Sequence, residues 1–192
     1  MNILAFLAFC VVVTYTPGPA NVVILATAQN QGPRKALEFV AGAALAIALL
    51  LALSAVLSGA LLGLLPRVRP VIGAAGAAYM LYLAYRIATS GAPTGADART
   101  GTFATGFAMQ LVNPKVILFC LTVVATFVTP YAGSALAQSG LVGVIFAIMC
   151  SAMLTWVLLG AALRRFLADH RRPANLAMAL FLVYTAWAVL VP

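Results

Sequence analysis

Six stretches of this chain, 3–28, 39–64, 71–89, 103–129, 140–163 and 174–191, stay predominantly apolar over the length of a membrane crossing. A helix needs about 20 such residues to traverse the hydrocarbon core. The short segments between them, QNQGPRK, PRVRP, SGAPTGADARTG, TPYAGSALAQS and RRFLADHRRP, carry the Gly, Pro, Ser and charge that punctuate structure. A soluble globule is excluded by its surface: hydrophobic residues make up 65% of the chain and charged residues 7%, whereas soluble domains are about 25% charged. The expectation is therefore an all-α membrane protein of six transmembrane helices forming one domain, 1–192. The opening run MNILAFLAFCVVVTYT has no charged leader region and no A-x-A site, so it is read as a retained span and not as a signal peptide.

Charge placement gives the expected orientation. Arg34, Lys35, Arg86, Arg99, Arg164, Arg165, Arg171 and Arg172 fall in the first, third and fifth connections; only Arg67 and Arg69 fall in the second, and none in the fourth. The positive-inside bias puts the odd-numbered connections in the cytoplasm and both termini outside. The net charge of +8 is thus spread over loops, with no basic stretch interleaved with aromatics, and nucleic acid is not an expected partner. The lipid bilayer is. Oligomeric state, a homo-oligomer included, is left open, since Gly59 and Gly63 form a G-x-x-x-G too common in spans to argue for a dimer. Cys10, Cys120 and Cys150 all lie in apolar segments without C-x-x-C or metal-type spacing. They read as small packing residues, and no cofactor or metal is expected.

Two spans contain their own interruptions. The first holds TYTPGPANVV and the fourth LVNPKVILF. A proline inside a helix removes a hydrogen bond and clashes with the preceding turn, at about 3 kcal/mol or more. Irregular backbone at membrane depth persists only inside protein or beside a wet cavity. Aligning Pro19 with Pro114 suggests a 3+3 inverted repeat, with halves 1–90 and 101–192, because an odd number of spans per half reverses the second. Gly/Pro-interrupted helices at matching positions point to the central site of a secondary transporter. Asn113 and Pro114 read as N-cap and first position of a new half-helix. Gly18 and Pro19 read likewise, with Thr16 and Pro17 as the alternative register. Two helix N-termini would then meet at one depth, a seat suited to a carboxylate.

Lys115 stands beside this break. A mid-span cation costs about 2.5–3.5 kcal/mol on insertion scales, so something must compensate it: a substrate carboxylate, Glu38, or backbone carbonyls. Glu38 is the acid nearest a span, a candidate coupling group or else an interfacial partner for Arg34 and Lys35. Thr14, Gly18 and Asn21 share a face at helical spacing, as do Gln110 and Asn113. In the third span, Gly73, Gly76, Tyr79, Tyr82 and Arg86 form a stripe that favours packing, with Tyr79 also a candidate ligand contact. The candidate substrate-binding set is Pro17, Gly18, Pro19, Asn21, Tyr79, Gln110, Asn113, Pro114 and Lys115.

Along nearly its whole length the chain resembles the LysE/RhtB amino-acid exporters. The likeness rests on Pro17-Gly18-Pro19-Ala20-Asn21, on Gly76-Ala77-Ala78-Tyr79-Met80-Leu81-Tyr82-Leu83-Ala84, and on Phe103, Gly106, Phe107, Gln110, Asn113, Pro114, Lys115 and Phe119 in order and spacing. GAAYMLYLAYRIATS, Ala125-Thr126-Phe127-Val128 and ALFLVYTAWAV look like the cysteine and O-acetylserine exporter branch. The resemblance implies a six-span inner-membrane exporter of small neutral amino acids, driven by the proton gradient and doing no chemistry on its cargo. Ala125 and Ala84 stand where many members have Pro and Gly, and Glu38 where the family is usually apolar. A thiol-redox carrier using Cys10 and Cys120, and a divalent-cation exporter, are the alternatives from other functional classes.

Overall fold

The computed structural model describes residues 2–89, 101–131, 133–163, 166 and 169–190, and all regular structure among them is helical. The first helix, α1 (Ile3–Tyr15), is capped by Asn2, whose Oδ1 accepts from the Ala5 amide at 3.1 Å. It stops at Thr16, extended at φ −60° and ψ 143°, because the residue before a proline is pushed out of the α region. Gly18 is extended too, and Pro19 opens α2 (Pro19–Gln31) at its first helical position. The two axes differ by 51°. The same grammar is repeated later: α4 (Phe103–Leu111) ends, Asn113 is extended, and Pro114 opens α5 (Pro114–Val123). Here α4 and the continuation through Val128 meet at 62°. Both expected breaks are therefore present, and the Gly18–Pro19 register is the one adopted.

The third helix, α3 (Pro33–Ala88), departs from the expectation of two spans separated by a PRVRP loop: its 56 residues are helical throughout. It is nevertheless not straight. Gly42 lies against the backbone of Phe103 and Gly76 against Val112 and Pro114. On a straight helix positions 42 and 76 would be ~50 Å apart, far more than α4 and the break after it can span. The helix turns back between them. The sequence of that interval includes Pro66 and Pro70, and a proline within a helix favours a bend.

A π-helical turn (Val124–Val128) continues α5, with the Thr129 amide bonded to the Val124 carbonyl at 2.9 Å. It sets Phe127 against Phe6 and Phe9, ring centroids 5.6 and 5.9 Å away. The last helices are α6 (Ala135–Ala162), capped by Ser134, and α7 (Arg171–Leu190). Two helical stretches, Pro33–Val56 and Ala135–Ala162, are long and apolar enough to cross a membrane alone; each bent pair passes the same test when taken as one span.

The centre of the bundle is α2. From Pro19 to Gln29 every residue except Leu25 is buried, the pattern of a helix enclosed on all sides. By contrast α1 buries only Phe6 and Cys10. The close approaches around α2 use residues without bulk. A Cβ on Gly160 would meet that of Ala28 at 2.7 Å, and one on Gly101 would meet Thr27 at 2.5 Å. With the Asn30 to Asn175 side-chain bond of 3.2 Å, these contacts gather the end of α2, the starts of α3 and α7 and the end of α6 at one pole. Arg34, Lys35 and Arg172 lie there. Gln138 donates to the Ala55 carbonyl at 3.2 Å at the other pole. Arg99, Arg164 and Arg165 fall outside the described residues.

Candidate functional site

Ending α1 in mid-chain strands its last carbonyls, which must find partners outside the helix. Two side chains answer this. Asn21 Nδ2 donates to the carbonyls of Thr14 and Thr16, both at 3.1 Å. Lys115 Nζ donates to the Thr16 carbonyl at 3.1 Å, to Thr16 Oγ1 at 3.2 Å and to the Pro17 carbonyl at 3.5 Å. The compensation for Lys115 is thus the negative end of α1, where a cation is favoured by the helix dipole. Glu38 is engaged elsewhere, 2.7 Å from Lys35 Nζ on the same turn of α3, with both side chains about two-fifths exposed.

The two N-termini at the breaks are not equivalent. Asn113 caps α5 as expected, its Oδ1 accepting from the Lys115 amide at 3.1 Å, while the Val116 and Ile117 amides bond to the Asn113 carbonyl. That terminus is occupied by its own chain. Gly18 has no side chain to offer α2, and no described side chain caps it. The Val22 amide bonds to the Gly18 carbonyl at 3.0 Å, leaving Ala20 and Asn21 as the first amides of an electropositive end. Glycine at 18 also makes room for the lysine: a Cβ there would sit 3.0 Å from Lys115 Nζ.

These groups converge on a cavity of ≈ 40 Å³, room for about three waters. Of the expected residues, Gly18, Asn21, Gln110, Asn113 and Lys115 line it. Pro17, Pro19 and Pro114 frame the breaks and are not in the lining. Tyr79 is not in the lining either; its hydroxyl donates to the Thr105 carbonyl at 3.3 Å, the packing role. Gly76 of the same stripe brings α3 onto the bare backbone at Val112, next to the second break. Sequence reasoning missed Val13, Ile47, Val116, Phe119, Met149 and Met153, which supply the apolar wall. The two methionines, four apart on α6, were the one available hint, and in an apolar span such a pair carries no distinguishing mark.

The alternatives find no support in this arrangement. Cys10 and Cys120 are free and fully buried. Among the described residues no three His, Cys, Asp or Glu side chains converge as hard cations require.

The model of the LysE type translocator family matches residues 11–191. A protein of Escherichia coli strain K12 named cysteine/O-acetylserine efflux protein is 34% identical over 185 residues, 95% of this chain and 94% of its own. The protein of that name from Shigella sonnei strain Ss046 shows the same identity and coverage. That from Escherichia coli O6:K15:H31 is 33% identical over the same length. No solved structure matches.

Proposed function

The chain belongs to the LysE type translocator family, and we propose that it exports small neutral amino acids or their derivatives, cysteine/O-acetylserine-like or threonine/homoserine-like, across the bacterial inner membrane. The observation that carries this reading is the pairing, at one cavity, of the uncapped α2 N-terminus with the Lys115 ammonium. A carboxylate placed there meets backbone amides, a helix dipole and a cation together. Apart from Lys115 the lining holds no charged side chain among the described residues, which suits cargo with an uncharged side chain.

In this reading the substrate carboxylate takes Lys115 from the Thr16 and Pro17 carbonyls. Asn21 keeps hold of the α1 end meanwhile, so the break does not lose all its hydrogen bonds at once. The proposed architecture is a single transmembrane domain of six spans, with α1–α2 and α4–α5 as the broken first spans of halves 1–90 and 101–192. The turned-back α3 supports counting it as two spans. The basic pole is proposed as cytoplasmic, with both termini outside. Transport is secondary-active, and Glu38 is the proposed coupling acid, lying one turn inside the basic pole.

Efflux from cells overloaded individually with cysteine, O-acetylserine, threonine, homoserine and leucine tests this. Cells expressing the chain should release at least one of the small polar amino acids faster than cells carrying an empty vector. Equal release of all five refutes it.

A further inference from the structure

Gln110 is the member of the cavity wall whose hydrogen bonding is weakest. Its residue is 2% exposed, and buried polar groups are ordinarily paired. The orientation of its amide follows from its neighbours. The Lys115 amide holds Asn113 Oδ1, so Asn113 presents Nδ2 to Gln110, which receives it on Oε1 at 3.3 Å. Gln110 Nε2 is then aimed at the Met153 sulfur, 3.9 Å away. A thioether is a weak acceptor, and a primary amide has two N–H groups to place. The result is a well-buried donor in a cavity wall, satisfied only by a sulfur. The same cavity is lined by Ile47, Val116, Phe119 and Met149. Methionine is the side chain most able to change rotamer and withdraw.

We infer that Gln110, Met149 and Met153 form the side-chain end of the substrate site and select small uncharged side chains that carry a hydrogen-bond acceptor. This rests on the transport reading above and specifies its cargo. The carboxylate lies at Gly18 and Lys115. The acceptor of the substrate side chain, a hydroxyl or ester oxygen, replaces Met153 as the partner of Gln110 Nε2. A hydrocarbon side chain of the same size enters the same apolar pocket but leaves that donor with the sulfur.

The test is exchange transport by the purified full chain in proteoliposomes, comparing serine and O-acetylserine with 2-aminobutyrate, which has no side-chain acceptor. Gln110→Leu should lower the ratio of serine to 2-aminobutyrate exchange roughly 5- to 10-fold, the contribution of one hydrogen bond, with 2-aminobutyrate exchange retained. Met153→Leu, close to volume-conserving, should raise the ratio by removing the competing acceptor. An unchanged ratio in Gln110→Leu, or equal loss of both probes from a correctly inserted variant, overturns the inference. Should Gln110→Leu fail to insert, Met153→Leu decides alone: a raised ratio supports it, and an unchanged or lowered one overturns it. A wild-type protein that exchanges no amino acid removes the transport reading itself, and this inference with it.

Discussion

Replacing Lys115 by Met separates what the residue does for the fold from what it does for cargo. The ammonium makes two close bonds, to the Thr16 carbonyl at 3.1 Å and to Thr16 Oγ1 at 3.2 Å. Hydrogen bonds to charged groups contribute about 1.5–3 kcal/mol each. Against them stands the cost of holding a cation at membrane depth, about 2.5–3.5 kcal/mol. The two nearly cancel, and Asn21 still holds the Thr14 and Thr16 carbonyls. Lys115→Met should therefore change stability by no more than about 3.5 kcal/mol, a shift in Tm below roughly 14 °C for a chain of this size. Cargo has no such compensation. Losing a hydrogen bond to a charged group costs about 1.5–3 kcal/mol, so export should fall at least about 10-fold. The assay pairs efflux from overloaded cells with thermal unfolding in detergent and a check of membrane insertion. Export at the wild-type level in an inserted Lys115→Met protein would refute the carboxylate role.

Gly106→Ala places a methyl against the backbone of Phe39, and since neither backbone is a flexible tip, overpacking of at least about 1–3 kcal/mol should lower Tm by roughly 2–12 °C in detergent; an unchanged Tm contradicts the α3–α4 packing. Asn113→Ala removes the α5 cap and the partner of Gln110, and should cost about 1 kcal/mol from the cap alone, read as a fall in Tm together with reduced export. Glu38→Gln breaks a half-exposed ion pair and should alter stability by less than about 1 kcal/mol. In the coupling role it should abolish gradient-driven export while substrate exchange across proteoliposomes continues. Gradient dependence equal to wild type takes Glu38 out of the mechanism.

How much of this was readable in advance depends on whether a side chain or the backbone carries the information. The two breaks were legible because proline and glycine change backbone geometry through their own covalent structure, and Asn113 announced its cap because its side chain suits that position. Lys115 was legible as a cost, with backbone carbonyls among its possible remedies but without the address of those carbonyls. Its remedy is a set of carbonyl oxygens at the end of α1, which every residue possesses and no sequence displays. The α3 turn was misplaced in kind, since Pro66 and Pro70 signal interruption without saying whether the chain bends or unwinds. The π turn at Val124–Val128 has no residue signature, being a change in which carbonyl each backbone amide reaches. Of the residues lining the cavity, the polar ones on the first and fourth apolar stretches were among the candidates; the methionine wall from α6 was invisible, because an apolar residue facing a cavity and one facing lipid look alike.

The enclosure of α2 sets where this family can vary. A residue on α1 that points outward can drift among apolar types without disturbing anything but acyl chains. A residue between Pro19 and Gln29, Leu25 apart, is enclosed by its neighbours, so a change of even one methylene must be matched by a change in α3, α6 or α7. Homologues should therefore diverge slowly along α2, and in step with those partners. Saturation mutagenesis should show the same asymmetry within a single interrupted span, with an intolerant inner half joined to a permissive outer one.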